Sequence, residues 1–187
     1  MPDLSVTINP TGYAYQVARE IIDALHRQCP EPSCVDFEPH VTLQYVKDAP
    51  GPAVAIATLE PIARRIAPFE IKFGSVGSFE TPPGVHIDLE PTDGLVRAYT
   101  TVKRALGDVG LATYSYDAST WRPHLTLSCG HWSPEDVAFI RGLFTRLDAS
   151  FLADRLLVNR LEPDGRWVVE RVLQLEGSSA DTSAEAA

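Results

Sequence analysis

Two short segments of the sequence carry the same polar residues in the same order. They are His40-Val41-Thr42-Leu43 and His124-Leu125-Thr126-Leu127, and each histidine directly follows a proline. A histidine has an ordinary pKa of about 6.5, so at neutral pH one imidazole can accept a proton while its neighbour donates one. Threonine hydroxyls two residues away can donate hydrogen bonds to phosphate oxygens. Together, these residue types could perform acid-base chemistry on a phosphate ester.

Both segments are predicted to be β-strands, in which residues two apart share a face. The first strand then has a polar row and an apolar row, which are Glu38, His40, Thr42, Gln44 and Pro39, Val41, Leu43, Tyr45. The second strand sorts in the same way, into Arg122, His124, Thr126, Ser128 and Pro123, Leu125, Leu127, Cys129. Because both strands place His and then Thr on the polar face, we predict one shared pocket.

The elements around these strands occur in a similar order in both halves of the chain. The first half is predicted to contain a strand at 4–8, a helix at 13–28, the first His-Thr strand, a helix at about 53–66 and a strand from 69 to 73 or 79. The second half is predicted to contain a strand at 85–89, a helix at 93–107, the second His-Thr strand and a helix from 134 to about 146. Two strands, at about 151–161 and 166–175, would follow as a hairpin around Pro163-Asp164-Gly165.

This repetition predicts an α+β fold in which a duplicated unit forms two lobes. Two mainly antiparallel sheets, with helices outside, would face each other across a central cleft with pseudo-two-fold symmetry. We expect residues 1–176 to form a single bilobal domain, with half-repeats at about 1–80 and 81–176. The small polar residues of the tail at 177–187 predict disorder.

Charge and hydropathy exclude several classes of protein. The formal net charge of −9 opposes an extended nucleic-acid surface, because binding along a phosphate backbone needs basic patches. No run of residues approaches the roughly 18 apolar residues that a membrane helix needs, and the start lacks the pattern of a signal peptide. We therefore expect a soluble, monomeric protein of the cytoplasm, whose three cysteines are reduced thiols.

The two motifs and the order of the elements resemble those of the 2H phosphoesterase superfamily. The resemblance is to its 2′-5′ RNA ligase-like and RNA 2′,3′-cyclic phosphodiesterase members, and it spans about residues 4 to 176. It implies catalytic roles for His40 and His124, and phosphate binding by Thr42 and Thr126. It also implies metal-independent chemistry on a 2′,3′-cyclic phosphate or a 2′-5′ linkage, and we expect a nucleotide or RNA end with a cyclic phosphate as substrate. We expect no metal or other cofactor, because the two histidines lack the further nearby ligands that a zinc site requires.

Other residues are weaker candidates, and two other functions remain open. Arg122 could contact phosphate from the face of His124, and Tyr116 could stack on a base. We expect surface or structural roles for His26, His86 and His131, and core positions for Tyr45, Trp121 and Cys129. The alternatives to hydrolysis of a cyclic phosphate are 2′-5′ RNA ligation at the same site and a non-catalytic module that binds an RNA end or a nucleotide.

Overall fold

The computed structural model describes residues 1–28, 38–80, 83–111, 121–130, 132–145 and 147–178. These residues form four helices and eight strands. The strands are β1 (Leu4–Ile8), β2 (His40–Val46), β3 (Phe69–Glu80), β4 (Pro83–Leu89), β5 (His124–Cys129), β6 (Ser150–Ala153), β7 (Arg155–Leu161) and β8 (Trp167–Gln174), and the helices are α1 (Gly12–Gln28), α2 (Pro52–Ala63), α3 (Asp93–Asp108) and α4 (Pro134–Leu143). The tail from residue 179 onwards, for which disorder was predicted, lies outside the described residues.

The eight strands form one sheet in the order β6-β3-β4-β5-β2-β1-β7-β8, and every neighbouring pair is antiparallel. The predicted α+β class is therefore confirmed. The two predicted sheets correspond to the two four-stranded halves of this sheet. The halves meet where β2 pairs with β5, over two Cα pairs that join His40 to Thr126 and Val41 to Leu125.

Chain segments cross between the two halves of the sheet. Strand β3 pairs with β4 and β6, whereas β7 and β8 extend the sheet beyond β1. The prediction of one strand over about 151–161 is wrong, because Asp154 separates β6 from β7 and the two strands join opposite halves of the sheet. The hairpin of β7 and β8 is confirmed, and Gly165 adopts a φ of 86° in its turn.

The helices pack on the face of the sheet opposite the histidines and bury the apolar row of each central strand. In α1 and α3 the apolar residues recur at helical spacing, and Ile21, Ile22, Leu95 and Leu106 are fully buried. Helix α2 ends at Ala63 and α4 at Leu143, both about three residues earlier than predicted. The sheet thus has one face in the core and one face that carries the polar rows.

A β-bulge interrupts both His-Thr strands at the same place. Thr7 pairs with Thr42 but Val6 pairs with Gln44, so Leu43 is the extra residue in β2. In β5, the register likewise skips Leu127. Since a bulge shifts the alternation by one residue, the leucine and the residue after it are both buried.

The predicted rows are therefore right up to the leucine and wrong after it. Gln44 and Ser128 are buried on the core side instead of lying in the polar row. Tyr45 and Cys129, predicted to face the core, are half-buried and turned to the face that carries Thr42 and Thr126. There the Tyr45 hydroxyl donates to the carboxylate of Asp3.

Candidate active site

The two motif histidines open the two central strands and are held in the same way. The Nδ1 of His40 lies 2.9 Å from the backbone oxygen of Glu38, and the Nδ1 of His124 lies 2.9 Å from that of Arg122. Because a carbonyl oxygen can only accept, each Nδ1 carries a hydrogen. The nitrogen that gains and loses a proton in each ring is therefore Nε2.

The pairing of β2 with β5 places each histidine near the threonine of the other motif. His40 and Thr126 are direct Cα partners. Continued by one residue, the same antiparallel register sets Thr42 opposite His124. All four side chains are half-buried, on the face of the sheet that the helices leave uncovered. The four predicted site residues thus lie together around the approximate two-fold axis between the strands.

A third histidine, His86 of β4, lies against His124. Its ring stacks on Phe79 at a centroid distance of 3.9 Å and meets the ring of His124 edge to face at 5.5 Å. Phe79 also meets His124 edge to face at 4.7 Å, so Phe79 contacts both imidazoles. We expected a surface or structural role for His86, but only 4% of the residue is exposed and it borders the site.

An aspartate on the same strand contacts His86 and lies opposite His124 in the sheet. The Nε2 of His86 donates to Asp88 Oδ1 at 3.1 Å, and the hydroxyl of Ser75 donates to Asp88 Oδ2 at 3.0 Å. Asp88 is also the Cα partner of His124 across the ladder of β4 and β5. The carboxylate is therefore held by two donors beside the second motif histidine.

The close approach of β3 to His86 depends on a glycine. A Cβ atom at Gly77 would lie 2.5 Å from Nε2 of His86, which is far closer than such atoms can pack. Gly77 is the Cα partner of His86, and the neighbouring Val76 carbonyl accepts from Nε of Arg141 at 2.8 Å. Helix α4 thus anchors β3, the strand that packs against the third histidine.

Burial is the main cause of the pKa shifts of all three imidazoles. It lowers the pKa of His40 below 6.5, against the effect of the Glu38 carbonyl, and a charge on His124 lowers that pKa further. Burial also lowers the pKa of His124, while the Arg122 carbonyl and the Asp88 carboxylate act in the opposite direction. The pKa of His86 is lowered chiefly by burial, despite its contact with Asp88.

The other described residues named in the sequence analysis lie outside the group of four motif side chains. The side chain of Arg122 is exposed at the entrance to β5, and its backbone orients His124. Trp121 packs against the core and stacks on Tyr99 at 3.9 Å, as expected of a core residue. His26 lies in α1, on the other side of the sheet from the motif histidines. Tyr116 and His131 lie outside the described residues.

Sequence reasoning missed Phe79, His86 and Asp88 as members of the site. The repeat itself contained a signal for the last two. Thr7 pairs with Thr42 in the first half, and His86 pairs with Thr126 in the second half. His86 and Asp88 therefore occupy the positions in the second half that Thr7 and Asn9 occupy in the first. If β4 had been aligned with β1 through the motif strand that each of them pairs with, the alignment would have pointed to His86.

A cavity of about 640 Å³ opens between Asp3, Lys47 and Arg160, at the end of β2 remote from His40. Among the described residues no group of three or more His, Cys, Asp or Glu side chains could hold a metal ion. Within the same residues, no helix has the length and apolar character to cross a membrane.

Comparisons with known proteins agree with this architecture. The model of the 2′-5′ RNA ligase superfamily matches residues 14–176. A crystal structure of TT0787 of Thermus thermophilus is similar over 95% of this chain and 100% of that chain, with a TM-score of 0.69 and 17% identity. E. coli LigT complexed with 3′-AMP is similar over 94% and 99%, with a TM-score of 0.68 and 15% identity. Usb1 of Kluyveromyces marxianus is similar over 92% and 98%, with a TM-score of 0.52 and 9% identity. At such identities the likeness shows the fold alone, and a sequence search of the curated proteins finds no match.

Proposed function

The chain belongs to the 2′-5′ RNA ligase superfamily, as its motifs predicted, and from this premise we propose that it hydrolyses the 2′,3′-cyclic phosphates of nucleotides or RNA ends. One observation carries the proposal. Two imidazoles, His40 and His124, are held identically by backbone carbonyls at 2.9 Å on adjacent central strands. Such a pair supplies a base and an acid on opposite sides of one phosphorus atom.

The reaction follows from one neutral and one protonated imidazole. The neutral ring takes a proton from water as the water oxygen attacks phosphorus, and the protonated ring gives a proton to the ribose oxygen that leaves. General acid-base catalysis of this kind contributes roughly 10² to 10⁴ in rate. The hydroxyls of Thr42 and Thr126 would donate to the non-bridging oxygens, where negative charge builds up in the transition state. These steps use only side chains of this chain.

The choice of substrate rests on the four motif side chains and on the net charge of the chain. The four motif side chains, drawn from two adjacent strands, would bind a single phosphate, and the net charge of −9 disfavours long polyanions. A structure of E. coli LigT contains 3′-AMP, which supports a nucleotide as the ligand of this fold. We therefore propose a cyclic mononucleotide, or the cyclic end of a short RNA, as substrate.

The direct test is turnover of 2′,3′-cyclic nucleotides in the presence of EDTA. We expect hydrolysis that EDTA does not reduce, and a loss of at least about 10²-fold in kcat/KM in each of the variants His40→Ala and His124→Ala. Circular dichroism should show that both variants stay folded. His26→Gln is the matched control, since it removes a histidine of α1, on the other side of the sheet from the motif histidines.

Three outcomes would contradict this assignment. Binding without turnover would indicate a nucleotide-binding module instead of an enzyme. Near-normal rates in either alanine variant would exclude catalysis by paired histidines, and a loss of activity with EDTA would exclude the metal-free mechanism.

Incubation with an RNA 5′-hydroxyl acceptor tests 2′-5′ ligation, in which that hydroxyl replaces water as the nucleophile.

A further inference from the structure

We propose that Asp88 of β4 determines the base specificity of the site, because its carboxylate accepts two hydrogen bonds from the nucleobase of the substrate and so selects guanine. This inference rests on the proposed function, since it takes a nucleoside with a cyclic phosphate as the ligand. It adds a contact with the base of that nucleoside, whereas the four motif side chains act on the phosphate.

Asp88 lies beside the motif histidines on the same face of the sheet. Its Cα is paired with that of His124 in the ladder of β4 and β5, and directly opposed residues of antiparallel strands project to the same side. Adjacent strands are about 5 Å apart, so the carboxylate stands one strand away from the imidazole. A nucleoside whose phosphate lies over the junction of β2 and β5 extends over either β4 or β1.

The polar groups on the β1 side are already engaged with one another. The side-chain amide of Asn159 donates to Thr7 Oγ1 at 3.0 Å and to Ser5 Oγ at 3.3 Å, and the Thr7 hydroxyl donates to Asn9 Oδ1 at 3.1 Å. Ser5, Thr7 and Asn159 are only 6%, 4% and 8% exposed. Because these groups are buried and hydrogen-bonded, they leave little for a nucleoside to bind on this side.

The β4 side is open and offers both an apolar surface and an acceptor. The side chain of Asp88 is 52% exposed. The half-buried ring of Phe79 meets the ring of His124 edge to face at 4.7 Å. An aromatic surface with a few fixed polar groups is typical of a small-molecule site. The nucleoside therefore extends over β4, with its base towards Asp88.

The carboxylate of Asp88 is held in one orientation and keeps acceptor capacity. Its Oδ1 accepts from His86 Nε2 at 3.1 Å, and its Oδ2 accepts from Ser75 Oγ at 3.0 Å. A carboxylate has about four lone-pair sites, so each oxygen retains one for a ligand. The ring of His86 is stacked on Phe79 at 3.9 Å and the residue is 4% exposed. His86 and Ser75 are therefore positioning residues, which act on the substrate through Asp88.

The free positions of this carboxylate match the edge of guanine. Guanine carries two N–H donors side by side, at N1 and at its 2-amino group, and a carboxylate accepts from such a pair through both oxygens, as it does from the fork of an arginine. Adenine and cytosine offer one amino group next to an acceptor nitrogen, and uracil offers one N–H between two carbonyl oxygens. Because the carboxylate repels these acceptors, Asp88 favours guanine and acts most strongly against uracil.

A comparison of the four nucleoside 2′,3′-cyclic phosphates tests the proposal. We expect kcat/KM for the guanosine compound to exceed that for the uridine compound by about 10- to 10²-fold in the wild type. The inosine compound lacks the 2-amino group and should lie between them. Asp88→Asn replaces one acceptor by a donor and should reduce the ratio of guanosine to uridine to below about threefold. Equal values for the two substrates in the wild type, or an unchanged ratio in Asp88→Asn, would overturn the proposal.

The ratio separates a contact with the base from an effect on catalysis. Any influence of Asp88 on the imidazole of His124 changes kcat/KM for all four bases alike and cancels in the ratio. Asp108→Asn is the matched control, because it removes an exposed carboxylate from the end of α3, on the other side of the sheet. The ratio should be the same in this control as in the wild type. An equal fall in both variants would attribute the selectivity to net charge and refute the contact.

Variants of Ser75 test the orientation of the carboxylate. Ser75→Ala frees one oxygen of Asp88 and should lower the ratio of guanosine to uridine by about two- to fivefold, while the rate on the uridine compound changes little. Ser75→Thr keeps the hydroxyl and should restore the ratio. An unchanged ratio in Ser75→Ala would refute the positioning role of the serine.

Two further measurements identify the donor and do not depend on the success of the first assay. The 5′-O-methyl ether of the guanosine compound should react as well as its parent, and a selective loss with this ether would assign the contact to the ribose hydroxyl and overturn the proposal. If the wild type hydrolyses none of the cyclic phosphates, the proposed function fails. Calorimetry with guanosine, inosine and uridine 3′-monophosphates then still decides the specificity. Tighter binding of the guanosine compound that Asp88→Asn abolishes would support the contact, and equal affinities would refute it.

Discussion

At the scale of single residues, the two threonines should act on the phosphate and not on the stability of the fold. Thr42→Val and Thr126→Val keep the shape of the side chain but remove the hydroxyl donor. We expect kcat/KM to fall by about 10- to 10²-fold in each, as the loss of one hydrogen bond to a charged group predicts.

The matched controls for this prediction are Thr42→Ser and Thr126→Ser, which keep the hydroxyl and should retain most of the activity. Steady-state kinetics on a cyclic mononucleotide is the measurement. Equal losses in the serine and valine variants would indicate that the methyl group, and not the hydroxyl, is what the site needs.

The buried histidines should also make the stability of the protein depend on pH. The pKa values of His40, His86 and His124 lie below 6.5 in the folded protein, so between those values and 6.5 the unfolded chain binds more protons. The free energy of unfolding should therefore fall as the pH drops below about 6.5, by about 1.4 kcal/mol for each unit by which a pKa is lowered. These groups should contribute no pH dependence above about pH 7.5.

Urea denaturation at a series of pH values measures this effect. In His86→Gln one of the three titrating groups is lost, so the slope between pH 5 and 6.5 should be smaller than in the wild type. A slope that is unchanged in this variant would show that His86 has an ordinary pKa in the folded protein.

At the scale of elements, side-chain hydrogen bonds stabilise the start of α4. Ser133 accepts from the backbone N–H of Asp136 at 3.1 Å, and the side chain of Asp136 accepts from the backbone N–H of Ser133 at 3.3 Å. This capping box satisfies two backbone donors of the first turn. Because α4 reaches β3 through Arg141, the cap supports the strand behind His86.

Ser133→Ala should lower the free energy of unfolding by about 1 kcal/mol, because one donor of the first turn loses its partner. Ser133→Thr keeps the hydroxyl and should be nearly neutral. Chemical denaturation of both variants is the measurement, and equal stability of the alanine and threonine variants would show that the hydroxyl contributes nothing.

Element order could be predicted from the sequence, but two details of the strands could not. The His-Thr strands, the cap of α4 and the last hairpin all have signals in residue type and spacing. The bulges at Leu43 and Leu127 have no such signal. Gln44 and Ser128 are polar and each follows a leucine, so the sequence continues to alternate although the bulge has shifted the register of the strand. The break between β6 and β7 is a single residue, Asp154, with no proline or glycine to mark it.

The part of the candidate site that could be predicted from the sequence is the part in which the same residue types occur twice. His40, Thr42, His124 and Thr126 were found because the same four-residue pattern occurs twice. Phe79 has no such duplicate, and its contact with His124 arises only from the pairing of β3, β4 and β5. A role that depends on neighbouring strands is not visible along one strand.

At the scale of the whole molecule, the net charge of −9 should govern the choice between short and long substrates. Repulsion between like charges grows with each added nucleotide and is screened by salt. We expect KM for an oligonucleotide with a cyclic end to exceed that for the mononucleotide. Raising the salt from about 50 to about 200 mM should lower the KM of the oligonucleotide, which is opposite to the counterion effect of a basic RNA-binding protein.

Kinetics at two salt concentrations, with the cyclic mononucleotide as the internal control, decides this point. The mononucleotide should respond less than the oligonucleotide, because it carries less charge. Tighter binding of the longer substrate at low salt would instead indicate a basic path for RNA.

The short ladder between β2 and β5 also has a mechanical consequence. A rigid rotation of one four-stranded half against the other would have its pivot at this ladder, where displacements are smallest. His40 stands on the ladder and His124 one position beyond it. The outer strands of the two halves could then swing apart to admit a substrate or release a product, while the spacing of the two imidazoles changes little.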